Sequence, residues 1–133
     1  MDRLTPERRS EVMSRIRGKD TRPEMIVRRF LHAKGLRYRL HDKRLPGTPD
    51  LVFPSRRVVV FVHGCFWHGH EGCKRSALPS TRTEFWSAKI AANIRRDRAA
   101  EQTLREAGWR VHVLWQCELS NEMLDDLAVK IAA

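Results

Sequence analysis

Hydrophobic positions along this chain follow two rhythms. Val58-Val-Val-Phe-Val-His63 is apolar and β-branched without alternation, the pattern of a central strand buried on both faces. Asp50-Leu-Val-Phe53 reads as a preceding strand, and Pro54-Ser-Arg-Arg57 as the turn between them. If Phe53 pairs with Val58, Asp50 lies opposite Phe61 and shares a sheet face with His63. The helical rhythm holds elsewhere. Thr5-Pro6 opens a short helix carrying Val12, Met13 and Ile16 toward Gly18. Thr21-Arg-Pro-Glu24 is a capping-box pattern, followed by Ile26/Phe30 and Val27/Leu31 at i,i+4 and by Gly35 as a helix stop. Tyr38 and Leu40 alternate with Arg37 and Arg39 as a short strand, and HDKRLPGTP is a loop. Thr81-Arg-Thr-Glu84 is a second capping box, predicting a helix to about Ala107 with Gly108 at its end and Ile90, Ile94 and Leu104 as its apolar stripe. Val111, Val113 and Trp115 alternate as a strand, and Leu124, Leu127, Ala128 and Ile131 mark a last helix. The expected order is α-α-β-β-β-α-β-α. That order places the chain in the α/β class, with a central mixed β-sheet flanked by α-helices.

Length and composition suit one globular domain over residues 1–133, since 15.6 kDa with 41% hydrophobic and 32% charged residues supports a modest core. Charge changes the picture more. The net +10 is concentrated at one end: residues 1–44 hold fourteen Lys/Arg against six acids, whereas 121–133 sum to −2. Clustered cations of this kind displace counterions condensed on nucleic acid, so residues 1–20 are expected to act as a basic arm on DNA. No long apolar or basic amphipathic segment argues for a membrane. Three cysteines cannot all pair internally, and the charged N-terminus lacks an apolar signal core, which points to a reducing cytoplasm.

There, thiols bind metal or sit buried. Cys65, Cys73 and Cys117 are all the cysteines present, and the loop joining the first two adds His68 and His70. Taking His70, between two thiolates on a glycine-flanked loop, completes a closed Cys₃His zinc site with a structural role. Asp50, His63 and His68 are then left for chemistry, together with Glu24, which from spacing alone serves as a helix cap. A carboxylate at a strand start is a hard ligand for Mg²⁺, and histidines can take a proton from water or give one to a leaving oxygen. Together they describe phosphodiester hydrolysis.

The segments LPGTPDLVF (45–53), FVHGCFWHGHEGC (61–73), STRTEFWSAKIAANIRRDR (80–98) and GWRVHVLWQCEL (108–119) resemble the very short patch repair DNA mismatch endonucleases, whose fold is of the PD-(D/E)xK, restriction-endonuclease-like type. The resemblance implies Mg²⁺-dependent nicking of one strand beside a T·G mismatch left by deamination of 5-methylcytosine. It places magnesium on Asp50 and the main-chain carbonyl of Val62, catalytic roles on His63, His68 and Glu24, and zinc on Cys65, His70, Cys73 and Cys117. Which histidine is base and which acid stays open. Phe61-Val62-His63 stands where the general nuclease pattern has (D/E)xK, so proton transfer rests on histidine.

Phe66, Trp67 and Trp86 are aromatic residues near basic groups, suited to wedging between bases, with Lys89 and Asn93 on the same side of the helix as Trp86. By resemblance they insert beside the mismatch, while the N-terminal helix with Met13 approaches from the opposite groove. The implied protein is a bacterial, nucleoid-associated monomer acting on mismatched double-stranded DNA, with a mismatch-repair protein as a further partner. Two other functions fit the same residues: a nuclease of this fold with a restriction-type or junction substrate, or a zinc-bearing DNA-binding module without catalysis.

Overall fold

A computed structural model describes residues 20–133. The helix expected between Thr5 and Gly18, with Met13, and the basic arm lie outside the described residues. Within them the order is α1 (Arg22–Ala33), β1 (Arg39–Leu40), β2 (Leu51–Phe53), β3 (Val58–His63), α2 (Thr83–Glu106), β4 (Arg110–Trp115) and α3 (Asn121–Ala132). The strands form one mixed sheet in the order β1-β2-β3-β4, antiparallel except for the parallel β3–β4 pair. Parallel neighbours need a crossover, and α2 supplies it. None of the described helices is long and apolar enough to cross a membrane.

All six residues of β3 are buried, as its unbroken apolar run predicts. Alternation sorts them between two layers. Leu51, Phe53, Val58, Val60 and Val62 pack with Val27 and Leu31 of α1 and with Leu124, Leu127 and Ile131 of α3. On the opposite face Val52, Val59 and Phe61 pack with Leu104 of α2. Truncating Leu31 or Ile131, both 0% exposed, to Ala would cost about 2–5 kcal/mol through lost transfer energy and the cavity left behind.

The hairpin register is the expected one, Phe53 opposite Val58, Val52 opposite Val59 and Leu51 opposite Val60. Asp50 continues it: its Oδ2 accepts the Val62 N–H at 2.7 Å. Turn geometry explains why the register does not slip, because Arg57 closes the connection in the left-handed region at φ 56°.

Both predicted glycine stops close their helices. Gly35 (φ 82°) donates to His32 O while Leu36 N–H reaches Leu31 O, and Gly108 (φ 92°) repeats the pattern with Arg105 and Leu104. The helix starts are less regular. Thr21 caps α1 by accepting the Glu24 N–H at 3.4 Å, yet the Glu24 carboxylate bonds the Asp20 N–H instead of returning to Thr21. The second capping box is corrected outright: α2 starts at Thr83 after Arg82 turns left-handed (φ 55°), without a side-chain cap. The Thr83 hydroxyl donates back to Pro79 O at 2.9 Å, so Thr81 sits upstream of the turn that aims the helix. Ile26, expected to pack, is 43% exposed, because Val27 and Leu31 already fill the core face of α1.

Candidate active site and metal centre

Two clusters flank the end of β3. The first gathers Cys65, His70, Cys73 and Cys117, each offering a ligand atom within 4.8 Å of the others. Donors around a zinc ion, bound through bonds of about 2.0–2.3 Å, sit at such separations, and the thiolate-imidazole set suits that metal. Cys117 arrives from just beyond β4, its Sγ 3.3 Å from His70 Nδ1, so the cluster ties the motif loop to the end of the neighbouring strand. The loop is shaped for this. The Ser76 hydroxyl engages the carbonyls of His70 and Cys73, each at 2.7 Å. Gly69 lies at φ 60° where a Cβ would come within 2.6 Å of Ile94 and 2.8 Å of Ile90, so only glycine lets the loop settle on α2. The apolar stripe of α2 is thus divided: Ile90 and Ile94 seat the motif loop, and Leu104 covers the sheet. An N–H from Arg75 leads the contributions that lower the Cys73 thiol to about 7, toward the thiolate a metal needs.

The second cluster lines a cavity of about 370 Å³ whose walls include Glu24, His41, Thr48, Asp50, Val62, His63, His68 and Asp97. Four residues that the sequence marks for chemistry therefore meet in one place. Burial pushes the Asp50 carboxyl up to about 7, opposed by the Val62 N–H and reinforced by the neighbouring Glu24. Two carboxylates facing each other in a partly dry pocket carry charge that a hard divalent cation would neutralise, and the Val62 backbone stands beside them. Glu24 is 2% exposed and does far more than cap: Arg28 donates to it at 3.2 Å and His41 Nε2 lies 2.9 Å from its Oε2.

His63 and His68 stack face to face, ring centroids 3.8 Å apart and planes within 1°. Burial, then the adjacent His68, holds His63 down at about 3, so its imidazole is neutral near pH 7, and its buried Nδ1 has no hydrogen-bond partner. His68 Nδ1 lies 2.6 Å from Asp97 Oδ2 on α2. Against an ionised carboxylate that nitrogen carries the proton, leaving Nε2 to accept one. Trp115 links the clusters, edge-on to His63 at 5.1 Å and stacked on His70 at 4.2 Å.

Beside the cavity, Phe66, Trp67 and Trp86 form a half-buried group with ring centroids 5.1–5.6 Å apart. Asn93, expected on the DNA side, is 5% exposed; its Nδ2 donates to the Trp67 carbonyl at 2.9 Å and its Oδ1 accepts from Arg96. Burial of this kind gives it a role in holding the aromatic loop. Asp97 and His41, each bonded to a candidate catalytic side chain, are pocket residues that sequence reasoning missed. A signal existed for Asp97, which follows Lys89 and Asn93 at four-residue steps on one helix face. Nothing in the loop pattern around His41 distinguishes it.

Among known proteins, residues 1–75 match the family described as DNA mismatch endonuclease Vsr. The chain is 61% identical over 120 residues to Type II nicking enzyme V.XorIIP of Xanthomonas oryzae pv. oryzae, spanning 90% of this chain and 88% of that protein. It is 46% identical over 123 residues to Type II nicking enzyme V.NmeAIP of Neisseria meningitidis, spanning 92% and 87%. To DNA mismatch endonuclease Vsr of Escherichia coli it is 45% identical over 122 residues, spanning 91% and 78%.

Proposed function

The chain belongs to the Vsr family of DNA mismatch endonucleases, and from that membership we propose that it nicks one strand of duplex DNA beside a T·G mismatch by Mg²⁺-dependent hydrolysis. The observation that carries this reading is the convergence of Asp50, Glu24, His63, His68 and Asp97 on one cavity next to the aromatic group. A DNA-binding module without catalysis would have no use for a buried carboxylate pair facing stacked histidines.

Asp50 and the Val62 carbonyl would hold the magnesium, with Glu24 completing the acidic wall. Bound there, the ion would polarise the scissile phosphate and offset charge building on the leaving oxygen. The protein's own groups move the protons. His68 Nε2 accepts one from the attacking water, and Asp97, holding Nδ1–H, orients the ring and stabilises the imidazolium that results. The water oxygen bonds to phosphorus as the bond to the leaving oxygen breaks, and the proton that His68 took up is given back to that oxygen through solvent, which returns the imidazole to its neutral form. Neutral His63, stacked on His68, fixes the plane of that ring. Glu24 constrains Asp50 from the helix side.

Zinc in the Cys₃His cluster would keep the motif loop folded, placing His68 relative to Asp97. Phe66, Trp67 and Trp86 then serve as the wedge, with Asn93 bracing it and Lys89 and Met13 contacting DNA. Opening a stacked step costs a few kcal/mol, least at a mismatch, so insertion itself favours T·G over paired DNA. We assign the whole chain to one domain with a restriction-endonuclease-like core, acting as a monomer in the bacterial cytoplasm.

The test uses duplexes carrying T·G or T·A in varied flanking sequences, with Mg²⁺ or a chelator, the nick being mapped on each strand. Nicking confined to one strand of T·G duplexes in Mg²⁺ supports the assignment. Double-strand cleavage of fully paired DNA would favour a restriction-type enzyme.

A further inference from the structure

Beside the two carboxylates stands a residue that neither the family resemblance nor the sequence pattern singles out. His41 directly follows β1, which pairs with β2 through Leu40 and Leu51. Its main-chain N–H extends that ladder by donating to the Asp50 carbonyl at 3.1 Å. Its ring, 14% exposed, points the other way and meets Glu24 Oε2 at 2.9 Å. A single residue therefore grips the backbone of one acid and the carboxylate of the other, joining the β2 end to α1 in the cavity lining.

The backbone supports a specific purpose for this arrangement. His41 has φ 46°, in the left-handed region that costs a residue with a Cβ on the order of 1 kcal/mol. Continuing β1 in extended form would send the next side chain along the strand instead of toward α1. The left-handed turn swings the ring into Glu24 while keeping the N–H on Asp50. Arg28 grips Glu24 too, but the Arg28 contact lies within α1 and cannot set the distance to β2.

We infer that His41 is a positioning residue, which fixes the Glu24 carboxylate against Asp50 by bonding both and so sets the spacing of the acidic wall that receives the divalent cation. This inference rests on the magnesium-dependent nicking proposed above. Partners that orient metal-facing carboxylates typically carry about 10–100-fold in metal affinity or activity. His41→Ala should accordingly lose about that factor in single-turnover nicking, with the Kd for DNA unchanged. His41→Gln, which keeps an N–H donor of similar reach, should recover most of it.

Direct measurement of Mg²⁺ binding by calorimetry on the DNA-free protein supplies a readout independent of turnover. The His41→Ala variant should bind Mg²⁺ more weakly than wild type, and His41→Gln nearly as well. A residue acting through Glu24 should also cost little once that carboxylate is neutralised, so adding His41→Ala to Glu24→Gln should change neither rate nor Mg²⁺ affinity further. Wild-type Mg²⁺ affinity in His41→Ala, or an undiminished penalty in the Glu24→Gln background, overturns the inference. If His41→Ala does not fold, His41→Phe fills the same space without the N–H and carries the same expectations. Persistent nicking by Asp50→Asn would instead refute the reaction chemistry, whatever His41 does.

Discussion

Asp97 on α2 and His68 in the motif loop meet through a contact of 2.6 Å between Oδ2 and Nδ1, made across 29 residues of chain. The contact fixes both the tautomer and the rotation of the imidazole, the same service a buried aspartate performs in hydrolytic triads. Asp97→Asn keeps the shape but lets the ring adopt the other tautomer. Nicking should fall by about 10²-fold or more under single-turnover conditions, with DNA affinity and Tm retained. Unchanged rates would remove His68 as the proton acceptor.

The buried Asp50 carboxyl makes stability depend on pH. Its pKa in the folded state is raised from 3.8 to about 7, chiefly by burial. Between those values the folded state keeps a proton that the unfolded chain has lost, so this group's contribution to stability falls as pH rises through that window. Asn cannot ionise. Without added Mg²⁺, Asp50→Asn should melt above wild type by an amount that grows from about pH 5 to about pH 8, reaching several degrees, on the order of 1 kcal/mol or more. Thermal melts across that range check it, and a pH-independent difference would contradict the assigned shift.

For the Cys₃His cluster, Cys73→Ser or zinc chelation should lower Tm and zinc content together, because a closed four-ligand site contributes folding energy. Elemental analysis beside calorimetric melting reads both. Absence of bound zinc in the native protein would refute the metal assignment.

Much of this geometry was legible in the sequence, and the rest was not for identifiable reasons. The unbroken apolar run from Val58 to Val62 marked a strand buried on both faces, and a short turn then forced Asp50 beside Val62. Gly35 and Gly108 stopped helices because a left-handed residue was needed there. Clustered cysteines and His70 declared themselves through spacing, Cys117 excepted, which depended on where β4 ends. Glu24 misled, since its capping position concealed a second use of the carboxylate against Arg28 and His41. Thr81 failed as a cap because Arg82 reverses the chain, something residue type does not reveal. Asp97 shares a helix face with Lys89 and Asn93, but its partner His68 lies 29 residues away, and His41, whose partner Glu24 is 17 residues away, carries no local signal at all.

Trp67 tests the wedge. Trp67→Ala should reduce discrimination between T·G and T·A duplexes more than it reduces general DNA affinity, because each stacked aromatic contributes about 1–3 kcal/mol at the step it opens. Competitive binding to the two duplexes measures this directly. Equal losses on both, or a collapse in Tm with preference intact, would assign the Phe66, Trp67 and Trp86 contacts to packing alone.

The proposed role of the Asp50 carboxylate in Mg²⁺-dependent nicking beside T·G is tested most directly by single-turnover cleavage of a T·G duplex by Asp50→Asn at saturating protein, with binding followed on the same samples. The variant should bind the duplex with wild-type affinity and leave both strands intact in Mg²⁺, since the charge that a hard cation requires is gone. Nicking at a near-normal rate by Asp50→Asn would contradict the account.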